Sequence, residues 1–444
     1  MSDWNQLYAE VLDREPPASL TLRISLLADA HTDQPKVDWS RRIVTGLVAA
    51  AAIVSILLLL VLAAQSRSSA PAPATPVIPT LGPARNGWVA VADSDGGGIY
   101  LVRAGEKPRR LEVAGSAAVG ATCPAWSPDG TRVLFGRVTG SSQTGSSAAE
   151  LVIVPVGSDG AAGAPKTIPL DGFGFDAYAQ PCGTWSADGR WIALRGGTGE
   201  VLVVDTKTGR IHRMPGLQPG DLEWRPGTDQ LAIAGQPESD ILATSPPPVT
   251  IYSTTTGQLS HLGDVKAGSI TWSPDGKTLA YTGANGSATA LWLVDADGTN
   301  KRLLVSDMGS ASHGIGPVWS PAGDRIAYQR RCCGSPEAHE VVLVNVGDGA
   351  ERTITPPLAA ASTGPDRSAD FHWYPYAVWW APDGTTLLYS AWNDGIGTGG
   401  EVTGLIAVPA DRPGHATVLI TGTGPPNVQS YPWAPNQMWG RQPE

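Results

Sequence analysis

Residues 124–136 read PAWSPDGTRVLFG, and the phrase returns as GTWSADGRWIALRG at 183–196, LEWRPGTDQLAIAG at 222–235, ITWSPDGKTLAYTG at 270–283, PVWSPAGDRIAYQR at 317–330 and VWWAPDGTTLLYSAW at 378–392. Each part has a mechanical reason. An apolar segment ends in Trp, Pro presets φ for a turn, Asp binds its own backbone, and Gly takes the left-handed conformation before a second apolar segment. The phrase therefore encodes a β-hairpin. After most copies come a third strand, such as ELVIVPV, EVLVVDT, TALWLVDAD or EVVLVNV, and a short closing strand such as KRLLVS or ERTITPP. A four-stranded antiparallel meander that recurs every few dozen residues is the size of one propeller blade.

These W-S-P-D-G phrases resemble the WD-repeat-like blades of TolB-type β-propellers, and the likeness extends over most of the chain after residue 84. The resemblance implies an all-β fold and leaves function open, because propellers of this type occur in scaffolds, peptidases, lyases and periplasmic binding proteins. Residues 88–113 read as second, third and fourth strands without a phrase before them, whereas QSYPWAPNQ near Trp433 is an orphan first strand. Strands from the two ends completing one blade make seven blades, with six or eight as alternatives. Such closure removes the free sheet edges.

Outward from the repeats, the chain changes character. Ile43–Ala64, IVTGLVAAAAIVSILLLLVLAA, is uncharged and long enough at about 1.5 Å per residue to cross a hydrocarbon layer of roughly 30 Å. It is expected to form one transmembrane helix. Lys36, Arg41 and Arg42 lie before it and only Arg67 soon after, which keeps residues 1–42 in the cytoplasm and places the rest outside the plasma membrane. Residues 65–84, rich in Pro, Ala and Ser, read as a semi-rigid spacer, and residues 85–444 as the extracytoplasmic propeller.

The formal charge is −10, from 31 Lys plus Arg against 41 Asp plus Glu. An acidic chain lacks the basic surface that phosphate backbones require, so no nucleic-acid partner is expected. No cofactor is expected either. His313 and His372 are not at metal-ligand spacing, and the Asp93–Asp95–Gly96 and Asp295–Asp297–Gly298 stretches lack the downstream acid of a calcium loop. No metal site is expected, and turn chemistry accounts for those acids.

In a meander blade, the turns after the first and third strands share one face. The connection after the second strand and the link to the next blade share the other. Here the second set is long, and such loops are where binding residues concentrate. Two stretches mix aromatics with acids: Phe173, Phe175, Asp176 and Tyr178 on one link, and Asp370, His372, Trp373, Tyr374 and Tyr376 on another, with Trp392 and Asp394 beside the second and His313 at an equivalent link. Exposed rings beside polar groups suit a protein, peptide or glycan; padding between blades is the competing use of the same rings. The sequence has no G-x-S-x-G elbow of the hydrolases that carry propellers, and His372 and Asp370 are the only candidates for a general base. A non-catalytic binding or scaffolding module is therefore expected, with a transmembrane sensor or a channel-mouth lyase or hydrolase as alternatives. Cys123 and Cys182 each lie three residues before a phrase Trp, on neighbouring first strands, where a disulfide is geometrically possible. Cys332 and Cys333 are adjacent, as a vicinal disulfide or as free thiols.

Overall fold

In the computed structural model, the described residues are 84–93, 98–112, 121–139, 148–175, 181–235, 246–309, 316–331, 339–354, 373–393, 404–413, 415–421, 428–429 and 439–441. Residues 1–42, the apolar segment 43–64 and all but the last residue of the 65–84 stretch lie outside them. Among the described residues no helix is long and apolar enough to cross a membrane.

The repeat phrase opens each of six consecutive four-stranded antiparallel sheets. Blade 1 comprises Ala121–Trp126, Arg132–Thr139, Ala148–Pro155 and Lys166–Pro169; blade 2, Gly183–Trp185, Trp191–Arg195, Val201–Asp205 and Ile211–Met214; blade 3, Pro219–Trp224, Gln230–Gly235, Pro248–Ser253 and Leu259–Lys266. Blade 4 comprises Ile270–Trp272, Thr278–Asn285, Ala288–Asp295 and Arg302–Val305; blade 5, Val318–Trp319, Arg325–Arg331, His339–Asn345 and Glu351–Thr353; blade 6, Trp373–Trp380, Thr386–Asn393, Gly404–Pro409 and Thr417–Thr421. Blade 7 takes Asn86–Asp93, Ile99–Val102 and Arg109–Arg110 from one end of the chain, and closes with Val428–Gln429 and Trp439–Arg441 from the other, both paired to Asn86–Asp93. The chain is a seven-bladed β-propeller.

The register of this closing strand differs from the sequence expectation. In every full copy the phrase Trp pairs with the residue seven positions on: Trp126 with Val133, Trp185 with Ile192, Trp224 with Leu231, Trp272 with Leu279, Trp319 with Ile326 and Trp380 with Leu387. In blade 7 it is Trp439 that pairs with Val89, so Trp439, not Trp433, holds the phrase position. Trp433 itself lies outside the described residues. Packing agrees. A Cβ on Gly276 would meet Pro226, two residues after Trp224, and a Cβ on Gly130 would stand 1.9 Å from the carbonyl oxygen of Arg441, two residues after Trp439.

Gly130 also has φ +68, so Gly130→Ala adds strain to the clash and is expected to lower stability by about 2 kcal/mol. Gly105, at φ +77 with nothing near its missing Cβ, is the control, where Ala should cost about 1 kcal/mol. Equal shifts in the denaturant midpoint would argue against the closing contact.

The turn chemistry follows the residues of the phrase. Ser127 Oγ donates to Asp129 Oδ1 and accepts from the Arg132 backbone N–H at 3.0 Å, while Thr131 N donates to the same Asp129 oxygen at 3.1 Å. Blades 2 and 4 repeat the set with Ser186, Asp188 and Trp191, and with Ser273, Asp275 and Thr278. In blade 5 the phrase is S-P-A-G-D, and Asp324 reaches back to the Ser320 hydroxyl at 2.7 Å. The carboxylate thus keeps its task after moving in sequence.

The core is distributed rather than central. Each of the seven seams between neighbouring blades holds its own apolar cluster, built on side chains from both blades. Sheet faces bury against sheet faces, and that burial supplies the main stabilisation. The phrase Trp sits in this layer and registers one blade on the last. Trp185 Nε1 donates to the Ala125 carbonyl, Trp224 to Thr184, Trp319 to Thr271 and Trp380 to Val318, all at 3.1–3.2 Å. In every case the acceptor is the residue just before the previous blade's Trp.

On the short-turn face, three alternate seams carry an arginine clamp. Arg132, Arg225 and Arg325 each donate to the turn-glycine carbonyl of the next blade, Gly189, Gly276 and Gly384. Each also lies over that blade's Trp ring, at 4.7, 5.2 and 5.0 Å from the centroid. The seam from blade 7 to blade 1 uses a different latch. Trp88 donates to the Ser158 carbonyl and is covered by Arg103 and Arg109, the latter bonded to the Asp159 carbonyl at 2.7 Å.

Candidate functional site

The first strands line the propeller's centre, and three residues before each phrase Trp they meet at one level. There the chemistry varies from seam to seam. Between blades 1 and 2, Cys123 and Cys182 form a disulfide, with a Cα–Cα distance of 5.1 Å. Cys123 sits at a register shift in its strand with φ +54, a left-handed backbone unusual for a residue with a side chain. Between blades 3 and 4, Asp221 occupies the level and accepts the Ile270 backbone N–H at 3.0 Å, as well as its neighbour Leu222 N at 2.9 Å. Between blades 4 and 5, Gly316 packs so closely on Ser269 that a Cβ would meet the serine at 2.7 Å.

Burial pushes the Asp221 carboxyl above its ordinary value of 3.8, against the pull of those two backbone donors. A raised folded-state pKa means that the folded chain holds the proton to a higher pH than the unfolded chain. The resulting stabilisation is complete below the unfolded value and is lost as pH rises through the folded one. Asp221→Asn should remove this component. Wild-type stability minus variant stability is then expected to fall as pH rises out of the acid range and to level off above the folded pKa; a difference independent of pH would refute it. The subtraction matters, because Asp129, Asp205 and Asp275 are shifted downward and give the opposite slope.

The two aromatic stretches have different placements. Phe175 is 5% exposed inside the cluster between blades 1 and 2, where its ring fills the seam and is withdrawn from the surface. Phe173 is partly buried against the same cluster. Trp373, Tyr374 and Tyr376 belong to the first strand of blade 6 rather than to the preceding link, and Trp392 lies on the second strand, with Tyr374 directly opposite it in register. Asp176, Tyr178, His313, Asp370, His372 and Asp394, like Cys332 and Cys333, lie outside the described residues. The Asp295–Gly298 acids are engaged in a turn: Asp297 accepts the Thr299 N–H and hydroxyl, and Asp295 accepts from Asn300.

A group that the sequence reading missed surrounds Phe173. Gly197 N donates to the Phe173 carbonyl at 2.9 Å, which joins the link from blade 1 to the Gly-rich connection 196–199 of blade 2. Next in that chain is Glu200, whose side chain is 2% exposed. Burial raises its pKa, but the Thr198 hydroxyl, backbone N–H groups and Arg213 outweigh burial and hold the carboxyl below its ordinary range. Arg213 Nη2 lies 3.3 Å from Glu200 Oε1, and its guanidinium lies 5.8 Å from the centre of the Phe173 ring while remaining half exposed. Gln218, on the link to blade 3, has φ +41 and packs its carboxamide against Gly199. These residues come from the link after blade 1, the 196–200 connection, the fourth strand of blade 2 and the link after it, and only the meander brings them together on the long-loop face.

No family model matches the chain, and no curated protein matches it. Solved structures of similar shape include oligogalacturonate lyase from Vibrio parahaemolyticus, at 15% identity and a TM-score of 0.46, covering 78% of this chain and 89% of that one. TolB from Acinetobacter baumannii is 18% identical with a TM-score of 0.36, covering 60% and 62%. A prolyl endopeptidase is 17% identical with a TM-score of 0.45, covering 69% of this chain and 43% of its own. Likeness at these identities concerns the fold alone. The expectation that the chain is not an enzyme is nevertheless corrected: two of these three propellers belong to enzymes by name, so the fold is no ground for excluding catalysis.

Proposed function

We propose that the chain is a membrane-tethered binding platform of the cell envelope, which takes a protein, peptide or glycan on its long-loop face. The observation that supports this most is the difference between the two faces. On one, short turns hold their serines, aspartates and clamp arginines in internal contacts. On the other lie Phe173, Arg213 and the blade 6 hairpin that pairs Tyr374 with Trp392, at the ends of the strands between which the sequence has its longer connections. A rigid ring with its polar groups committed on one side presents adaptable chemistry on the other. Ile43–Ala64 is the tether in this reading, with residues 1–42 inside the plasma membrane.

The test uses the full chain in detergent micelles on peptide and oligosaccharide arrays, beside a Trp373→Ala, Tyr376→Ala variant, with membrane extraction of cells expressing the chain in parallel. Retention in the membrane at high pH and saturable binding on an array support the platform. Release by alkaline carbonate, or silence on the arrays and in crosslinking of intact membranes, would refute it.

A further inference from the structure

We infer that the group around Phe173 is a saccharide subsite, in which Arg213, Gln218 and Thr198 meet ring hydroxyls beside the phenyl ring and the buried Glu200 carboxylate positions Arg213. This rests on the binding-platform reading and narrows its ligand class. Sugar hydroxyls both donate and accept, so their recognition calls for planar side chains of both kinds, held rigidly, beside an apolar surface. The exposed groups are a guanidinium fork, a carboxamide and a hydroxyl, with the buried Glu200 carboxylate behind the fork.

Two observations mark it as more than a surface ion pair. Glu200 Oε1 is buried without a hydrogen bond, its contact with Arg213 being an ion pair at 3.3 Å that lacks hydrogen-bond alignment. At 2% exposure the carboxylate is out of a ligand's reach, and its task is to hold the half-exposed Arg213 guanidinium in place. Gln218 holds a left-handed backbone, φ +41, without being glycine, and that strain lays its carboxamide on the 196–199 connection. Arg213 is pre-oriented by the carboxylate on one side and the Phe173 ring on the other, with half of its surface open to solvent. A pre-oriented fork loses less freedom on binding than a free side chain.

The experiment takes the oligosaccharide that binds the full chain best on an array of neutral and acidic glycans and titrates it against Glu200→Gln, Arg213→Lys and Phe173→Ala. Glu200→Gln keeps size and shape, and Arg213→Lys keeps the charge and length while removing the fork, so both guard against misfolding, which Phe173→Ala risks because it removes packing from the seam; thermal melting checks all three. Affinity reduced tenfold or more by both conservative variants, with unchanged melting, is the expected result. A glycan that binds all variants equally would overturn the subsite while leaving the platform standing elsewhere on the face. Binding of peptides alone would overturn the saccharide assignment. No ligand of any class, in a chain that still melts cooperatively, would remove both readings.

Discussion

Trp185→Ala is expected to lower the stability of the propeller by about 4 kcal/mol. Trp185 is 1% exposed in the cluster between blades 1 and 2, and its indole N–H closes the 3.1 Å bond to Ala125. The substitution leaves a cavity between two sheets that cannot collapse without shearing the ring. It also orphans a buried carbonyl and deprives Arg132 of the ring beneath it. Trp185→Phe separates these effects: most of the apolar area stays and the hydrogen bond goes, so a loss of about 1–2 kcal/mol is expected. Denaturant unfolding followed by circular dichroism checks both. A loss below 1 kcal/mol for the alanine variant would mean that the seam cluster, not its central Trp, sets the blade spacing.

Replacing Cys123 and Cys182 together by Ser should cost about 3–4 kcal/mol. The disulfide spans a sequence separation of 59, and cross-linking a loop of that length removes about 4 kcal/mol of chain freedom from the unfolded state. Release of the left-handed Cys123 backbone returns up to about 1 kcal/mol. Reduced wild type should unfold at the same midpoint as the double variant. If reduction leaves the midpoint unchanged while the double variant shifts it, the effect belongs to the serines in the inner strands and not to the cross-link.

Most of the fold was legible because one phrase solves one mechanical problem repeatedly: each copy contains a turn and a Trp buried at the seam, and in four of the six the indole N–H reaches the blade before it. The misplacement at the closing strand has a physical cause. YPWAPNQ looks more like W-S-P-D-G than MWGRQPE does, but blade 7 needs no turn after its first strand, so only pairing with Asn86–Asp93 selects the register. The candidate site was less legible. Phe173 and Phe175 are separated by one glycine, Gly174, with φ +71, and nothing local says which of them turns into the seam. Glu200, Arg213 and Gln218 carry no motif; they matter through the meeting of separate connections, which a linear reading does not reveal. The expectation about catalysis rested on a missing hydrolase elbow and on His372 and Asp370 as the only candidates for a general base, and neither excludes every kind of chemistry.

The arginine clamps imply something about how the ring carries load. They occur at the seams joining blade 1 to 2, 3 to 4 and 5 to 6. The disulfide strengthens the first of these joints and the Asp221 bridge the second. The reinforcement added to the shared apolar layer is therefore uneven around the ring: three seams carry a clamp, while those from blade 2 to 3 and from blade 4 to 5 rely on the indole bonds of Trp224 and Trp319. Gln218 lies on the link from blade 2 to blade 3, beside one of the seams without a clamp. A ligand seated there would bear on a joint held by an apolar cluster and one indole bond.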